Sequence, residues 1–404
     1  MKGTNTVTIL VMCDTGADNE TAQEAGISHF LEHMLFKGTK RRPTPQHIKH
    51  ELDSMGSISN AFTGHEMTGY FIKIGHLYFD RALDLMADIY SNALLDSKEI
   101  NRERQVILEE AHMIHDTPER YIGHLYEELL YGGQPAGRDV LGTEKNIKSF
   151  SQDQFRSYFS RQYTPQNTVV IIAGSFDEAR AIKKVEKLFD GQKKPESRPK
   201  AAFKEAQKSP AVKAHYKETD QSHIMIGFRG FDAHHKERYV TDMLATVLGG
   251  NWSSRLWDII RDHLGLAYSI QTWNDTYSNR GYVATYMGVA HKNIEKAISA
   301  AVGEFRKIAE KPVSAAELLR AKEYVKGTSL IALESSSAVA NFVGIEEVVT
   351  GKPLTIKEVF GRIDGVTPSM IQAVARKLIR PQNLNLAVIG PFRSEEKFKK
   401  LLKL

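Results

Sequence analysis

The residues with the clearest chemical potential are His29-x-x-Glu32-His33, inside the run Gly26-Ile-Ser-His-Phe-Leu-Glu-His-Met-Leu-Phe-Lys-Gly38. On a helix, positions four apart lie one above the other and the third position lies beside them. Both imidazoles can then share one metal ion while the Glu32 carboxylate reaches a water bound to it. That is the spacing of metal-assisted hydrolysis with a carboxylate base. Three fixed letters make a weak pattern, and a chain with 15 histidines can assemble them by chance. A catalytic zinc also needs a third protein ligand, so the motif has to find a partner elsewhere.

The surrounding residues favour a helix. Ile27, Phe30, Leu31, Met34 and Leu35 form an apolar stripe at helical spacing, and Gly38 offers a stop. Phe30 and Leu31 read as packing residues that bury the helix beneath the site. A second helical segment, Asn101–His115, contains Glu103 and Glu110, seven residues apart and so two turns along one face. Glu109 points elsewhere.

The 404 residues suggest two or more domains, and 41% hydrophobic with 25% charged residues is an ordinary globular mixture. A net charge of +5 with dispersed lysines gives no reason to expect a nucleic-acid or membrane surface. Cys13 is the only cysteine, which excludes internal disulfides and cysteine-based metal sites. Any metal must be held by His and carboxylate. No charged-then-apolar leader opens the chain, and no run approaches about 18 apolar residues. A soluble, cytoplasmic protein is the expectation.

The chain also repeats itself. Thr164-Pro-Gln-Asn-Thr-Val-Val-Ile-Ile-Ala-Gly-Ser-Phe176 recurs as Arg380-Pro-Gln-Asn-Leu-Asn-Leu-Ala-Val-Ile-Gly-Pro-Phe392, an offset of 216 at the proline (381 − 165). Glu99-Ile-Asn-Arg102 and Glu317-Leu-Leu-Arg320 repeat at nearly the same offset. A linker composition at Asp190–Lys200 separates the copies. The expected organisation is a domain over 1–190, a linker over 191–212 and a homologous domain over 213–404. Expected strands are Val7–Met12, Thr68–Ile74, Thr168–Ala173, His223–Phe228 and Gly281–Met287. Expected helices are Pro45–Met55, Leu77–Ser91, Lys98–His115, His235–Leu248 and Ile294–Glu310. The fold class is α+β, each domain a mostly antiparallel sheet with helices packed on one face. The second copy carries Leu244-Ala-Thr-Val-Leu-Gly-Gly250 where the first has its histidines, so only one copy can bind metal.

Taken together, these motifs resemble the pitrilysin, insulin-degrading enzyme and mitochondrial processing peptidase family of inverted zincins. That family follows H-x-x-E-H with a distal glutamate ligand inside an E-R-x-x-x-x-x-E segment. Here Glu103-Arg104 opens such a segment and Glu110 closes it, 77 residues after His33 (110 − 33). The resemblance implies one zinc per chain on His29, His33 and Glu110, with Glu32 as general base and Glu103 orienting a histidine ligand. His112 and His115 fall outside the pattern and read as helix-surface histidines. Gly56-Ser-Ile-Ser-Asn-Ala-Phe-Thr63 is similar to the family strand whose Asn-Ala backbone, here Asn60 and Ala61, pairs with an extended substrate. Phe30 is placed beside Asn60 and Ala61 among the substrate-facing residues. Leu248-Gly-Gly-Asn-Trp-Ser-Ser-Arg-Leu256 and Arg261-Asp-His-Leu-Gly-Leu-Ala-Tyr-Ser269 are similar to the segment supplying an Arg and a Tyr, here Arg261 and Tyr268, for the tetrahedral intermediate.

The resemblance further implies the LuxS/metallohydrolase-like fold and a zinc metalloendopeptidase acting on peptides or unfolded polypeptides. Four homologous domains enclose the family's chamber and this chain supplies two, so a homodimer is expected. The competing readings are a non-catalytic structural core-type subunit and one half of a heterodimeric processing peptidase. Family members usually begin with a further strand before the segment matching Thr6–Met12. That strand is either missing here or lies upstream of this start; its loss would leave an exposed edge on the first sheet.

Overall fold

The computed structural model of the chain describes residues 1, 3–190 and 197–404, so positions 191–196 of the expected linker lie outside the described residues. The chain divides into two compact units. The first comprises Met1–Met113, Arg138–Ala201 and Ile331–Pro353; the second comprises Ile114–Gly137, Ala202–Leu330 and Leu354–Leu404.

The sheet of the first unit is built on Thr-Val-Thr-Ile-Leu-Val-Met-Cys, which is apolar at nearly every position. Such a strand needs cover on both faces. It forms β1 (Thr6–Cys13), joined by β2 (Ile58–Thr63), β3 (Thr68–Gly75) and β4 (Thr168–Gly174) in the order β2-β3-β1-β4. Every pairing is antiparallel. Side chains alternate across the sheet. Val7, Ile9, Val11 and Cys13 face a core shared with the helices Ile27–Met34, Phe79–Ser91 and Gln152–Gln162. Leu10 and Met12 face the other way, onto the helix Ser336–Thr350. The Thr8 and Ser336 hydroxyls hydrogen-bond at 2.8 Å. A Cβ on Gly344 would lie 2.5 Å from Met12 Sδ and 3.1 Å from Ile171 Cδ1, so the helix packs closely on the sheet at that glycine.

The second unit repeats this plan with β5 (Ala211–Tyr216), β6 (Ser222–Arg229), β7 (Ala267–Thr276), β8 (Gly281–Val289) and β9 (Leu384–Gly390) in the order β5-β9-β6-β8-β7. Only β5 runs parallel to its neighbour. Ile224, Ile226 and Phe228 of β6 pack on a layer that includes the helices Arg238–Ala245, Ile294–Glu310 and Pro368–Leu378. On the other face, Met225, Ala284, Ala387 and Ile389 meet Ile122, Leu125, Tyr126 and Leu130 of the helix Pro118–Tyr131.

The sequence halves are therefore not the folding units. Each half sends one helix to the other's sheet: Pro118–Tyr131 lies in the second unit and Ser336–Thr350 in the first. The physical reason lies in the strands, since helices on one side alone would leave the second apolar face of each sheet bare. The repeated Pro-Gln-Asn turns are alike in detail. Asn167 and Asn383 donate side-chain amides to the carbonyls of Gln162 and Leu378 at 3.2 and 2.9 Å. In the first sheet β2 and β4 are the edge strands, whereas in the second the place beside β9 is taken by β5.

Candidate metal centre

The helix Ile27–Met34 buries Ile27, Phe30, Leu31 and Met34 against β1 and its neighbours, which turns positions 29, 32 and 33 toward the long helix Ser97–Asp116. On that helix Glu103 and Glu110 face inward, while Glu109 is exposed and accepts from Gln105 at 2.8 Å. Ligand-type atoms of His29, His33 and Glu110 lie within 4.8 Å of one another, the only such group of three among the described residues. Glu110 Oε2 is 3.8 Å from His29 Nε2 and 3.4 Å from His33 Nε2. A tetrahedral ion with bonds of about 2.1 Å spaces its ligands about 3.4 Å apart, so the group fits a small divalent cation.

Hydrogen bonding assigns the His33 ring nitrogens. Nδ1 donates to Glu103 Oε1 at 2.9 Å, which leaves Nε2 to face Glu110. Glu103 Oε2 is paired with Lys37 Nζ at 2.5 Å. Burial alone would raise the Glu103 carboxyl, but hydrogen bonds from His33 and Lys37 hold it below its ordinary range. Burial would lower His33, yet its bonds to Glu103 and Glu110 raise it to about 9. His29 is pushed the other way, by burial and by the neighbouring His33. A divalent cation held by His33 and Glu110 would compete with protons for both groups.

Glu32 stands beside this group and accepts from Thr63 Oγ1 at 2.6 Å. Burial raises its carboxyl, with the Thr63 bond opposing. Glu32 opens onto a hollow of about 530 Å³ whose walls include Phe36, Ile48, Leu52, Asn60, Ala61 and Glu110. Asn60 and Ala61 lie on the edge strand β2, where the Ala61 N–H donates to Asn60 Oδ1 at 3.0 Å.

Phe30 does not face this hollow. It is 0% exposed and meets Phe155 edge-on at 4.8 Å. One residue past His29 is a rotation of about 100° on a helix, which puts Phe30 in the core rather than at substrate. Phe36 takes the lining position, and the sequence signal was its place just after the motif. Thr63 and Lys37 were also unassigned by sequence, though both lie in segments quoted for other residues. His112 is exposed, and the His115 ring packs on Tyr121 at 4.7 Å.

In the second unit, Arg261 and Tyr268 are brought together. The guanidinium lies 4.4 Å from the Trp257 ring and 5.2 Å from the Tyr268 ring, and Tyr268 is 84% exposed. They border a separate hollow with Trp252 and Asp262.

Family models match both halves: "Insulinase (Peptidase family M16)" over residues 1–144 and "Peptidase M16 inactive domain" over 149–325. The uncharacterized zinc protease YmxG of Bacillus subtilis is 33% identical over 386 residues, covering 95% of this chain and 93% of that protein. An uncharacterized zinc protease of Rickettsia felis is 34% identical, covering 96% of this chain and 93% of that protein. Among solved structures, a protease from Helicobacter pylori matches with a TM-score of 0.91 at 22% identity over 97% of this chain and 95% of that one. At that identity the likeness speaks for the fold. No single helix among the described residues is long and apolar enough to cross a membrane. With relatives this similar across nearly its whole length, the chain belongs to the insulinase family of peptidases, peptidase family M16.

Proposed function

We propose that this chain is a zinc endopeptidase whose ion is held by His29, His33 and Glu110 and whose general base is Glu32. The observation that carries this reading is the convergence of three ligand atoms within 4.8 Å, with a half-buried carboxylate beside them that opens onto a hollow. When bound, zinc would supply Lewis-acid polarisation of the scissile carbonyl and a more acidic attacking water. Glu32 would take the proton of that water and hand it to the leaving amine. Glu103 fixes the His33 tautomer. The edge of β2 at Asn60-Ala61 receives an extended substrate by main-chain pairing, which displaces the Asn60 side chain from the Ala61 amide.

Arg261 and Tyr268 stabilise the developing oxyanion. Following the family's four-domain chamber, the working form is a homodimer in which they serve the partner's zinc, with unfolded peptides admitted and folded proteins excluded. Glu32→Gln should keep about one zinc per chain and lose cleavage of a quenched fluorescent peptide; normal cleavage would overturn the mechanism. Mixing the impaired Glu32→Gln and Arg261→Ala proteins should raise activity above that of either alone if Arg261 acts across a dimer. No recovery, or a single-chain mass at full activity, would overturn the dimeric arrangement.

Two other readings stand beside this one, the first from the names of similar proteins and the second from the family resemblance. One is a structural role, suggested by the "inactive domain" model and by a 17% identical chain of complex III2 from Candida albicans, with a TM-score of 0.84. The intact set His29, Glu32, His33 and Glu110 speaks for catalysis instead. The other is a heterodimeric peptidase, against which Arg261 and Tyr268 stand in the same chain as the zinc motif.

A further inference from the structure

The helix that carries His29, Glu32 and His33 has only eight residues and no cap of its own. Its N-cap is Gly26, at φ 97°, with no side chain to accept the first amides. A Cβ at Gly26 would lie 2.7 Å from the Leu141 carbonyl oxygen, so glycine serves both the left-handed φ and a close backbone approach. The amides are taken from outside the helix. Glu20 Oε2 accepts the Gly26 N–H and Oε1 accepts the Ser28 N–H, each at 2.8 Å. Arg138 donates to the Glu20 carbonyl at 2.8 Å, and the Ser28 and Tyr158 hydroxyls pair at 2.8 Å. Glu20 is buried, and desolvation pushes its carboxyl up to about 7 despite the amides' opposing pull. A Ser or Asn cap would satisfy an amide without burying a charge. The fold carries a costly group here, which calls for a return other than stability.

We propose that Glu20 is a positioning residue for the metal centre: by gripping two amides of the first turn, it fixes the rotation that aims His29, Glu32 and His33 at Glu110. The inference rests on the metallopeptidase reading of that site. His29 is the third residue of the helix, so a frayed first turn displaces a ligand directly. Both oxygens of Glu20 are engaged, one on each side of Ile27. A single-point cap would leave the turn free to pivot.

The test measures three quantities on Glu20→Gln and Glu20→Asp: zinc dissociation constant by competition with a chromophoric chelator, Tm of the metal-free protein at pH 8, and peptide kcat and KM. Glu20→Gln keeps the shape but only one acceptor. It should weaken zinc about tenfold, at the low end for removing a group that orients metal ligands. It should also lower kcat more than it raises KM, with a metal-free Tm no lower than wild type. Glu20→Asp keeps the charge but is too short to span both amides, and it should weaken zinc similarly; it decides alone if the Gln protein does not fold. A lowered Tm with unchanged zinc affinity would make Glu20 a simple structural cap and overturn the proposal. Wild type is measured alongside. If it binds no zinc, the metallopeptidase reading fails, whereas wild-type binding with unchanged variants defeats the role of Glu20 alone.

Discussion

The two units share one plan and use it differently. β2-β3-β1-β4 and β7-β8-β6-β9 are the same strand order, and the first strand of each leads into a helix packed on the sheet. In the first unit that helix presents His29, Glu32 and His33, supported by buried Glu20 and Glu103. In the second it runs through Arg238–Ala245 into Thr246–Gly250, and Met243, Leu244, Val247 and Leu248 go into the core. The position equivalent to His33 is Gly249 (33 + 216), where a Cβ would meet Thr272 Oγ1 at 2.1 Å. One copy keeps polar groups in place at a cost in desolvation. The other has filled the equivalent region with apolar side chains and closed position 249 against Thr272.

That contrast can be tested at several strengths. The largest effect should come from Glu32→Gln, which removes the base and should lower kcat by about 10²–10⁴-fold with zinc retained. Activity surviving at wild-type level would mean that the first unit is not the reacting one. Next comes the pH dependence of the buried charge. Because the folded pKa of Glu20 is raised from 4.5 to about 7, the folded state holds the proton longer than the unfolded state. Its contribution to stability is thus full below pH 4.5 and is lost as pH rises to about 7, by up to about 3 kcal/mol. Urea titrations of metal-free wild type and Glu20→Gln should diverge over that window and run parallel outside it. Parallel curves throughout would remove the claim that the first unit bears a desolvation cost there.

Smaller effects belong to the second unit. Arg261→Ala should lower kcat/KM about 10²-fold while leaving zinc content and Tm unchanged, since Arg261 makes no ion pair among the described residues. A loss of zinc in that variant would tie Arg261 to the metal rather than to substrate. Gly249→Ala should cost about 1–3 kcal/mol by overpacking against Thr272, with peptide hydrolysis otherwise normal. A neutral Gly249→Ala would show that the second helix is less closely packed than its mate.

Much of this architecture is legible in the sequence. Strands announced by β-branched runs, such as Thr168–Gly174, and helices with strong periodicity, such as Ile294–Glu310, fall where their patterns put them. Helical phase put Glu103 and Glu110 on one face, but the link from His33 to Glu110 was legible only through the family resemblance. Ser336–Thr350 was not, because a helix lying on an apolar sheet face is built from Ala, Val and Gly with little contrast between its sides. β5 and β7 were also missed: β5 is short, and β7 carries Gln, Asn and Asp at an open edge. Phe30 was placed at substrate although its stripe with Ile27, Leu31 and Met34 already put it in the core. Glu20 was passed over because nothing in a run of polar residues tells which one will be buried; its two amide partners lie six and eight residues on.

The traded helices carry a lesson about history. Pro118–Tyr131 and Ser336–Thr350 sit at equivalent places in the repeat (336 − 118 = 218), yet each completes the other copy's core. The stretch of gene that was copied is therefore not the stretch of chain that folds. Such a reciprocal trade is what two identical protomers exchanging an arm become once a single gene encodes both. Severing the chain in the segment between the copies would yield two fragments, each lacking a wall and holding the other's.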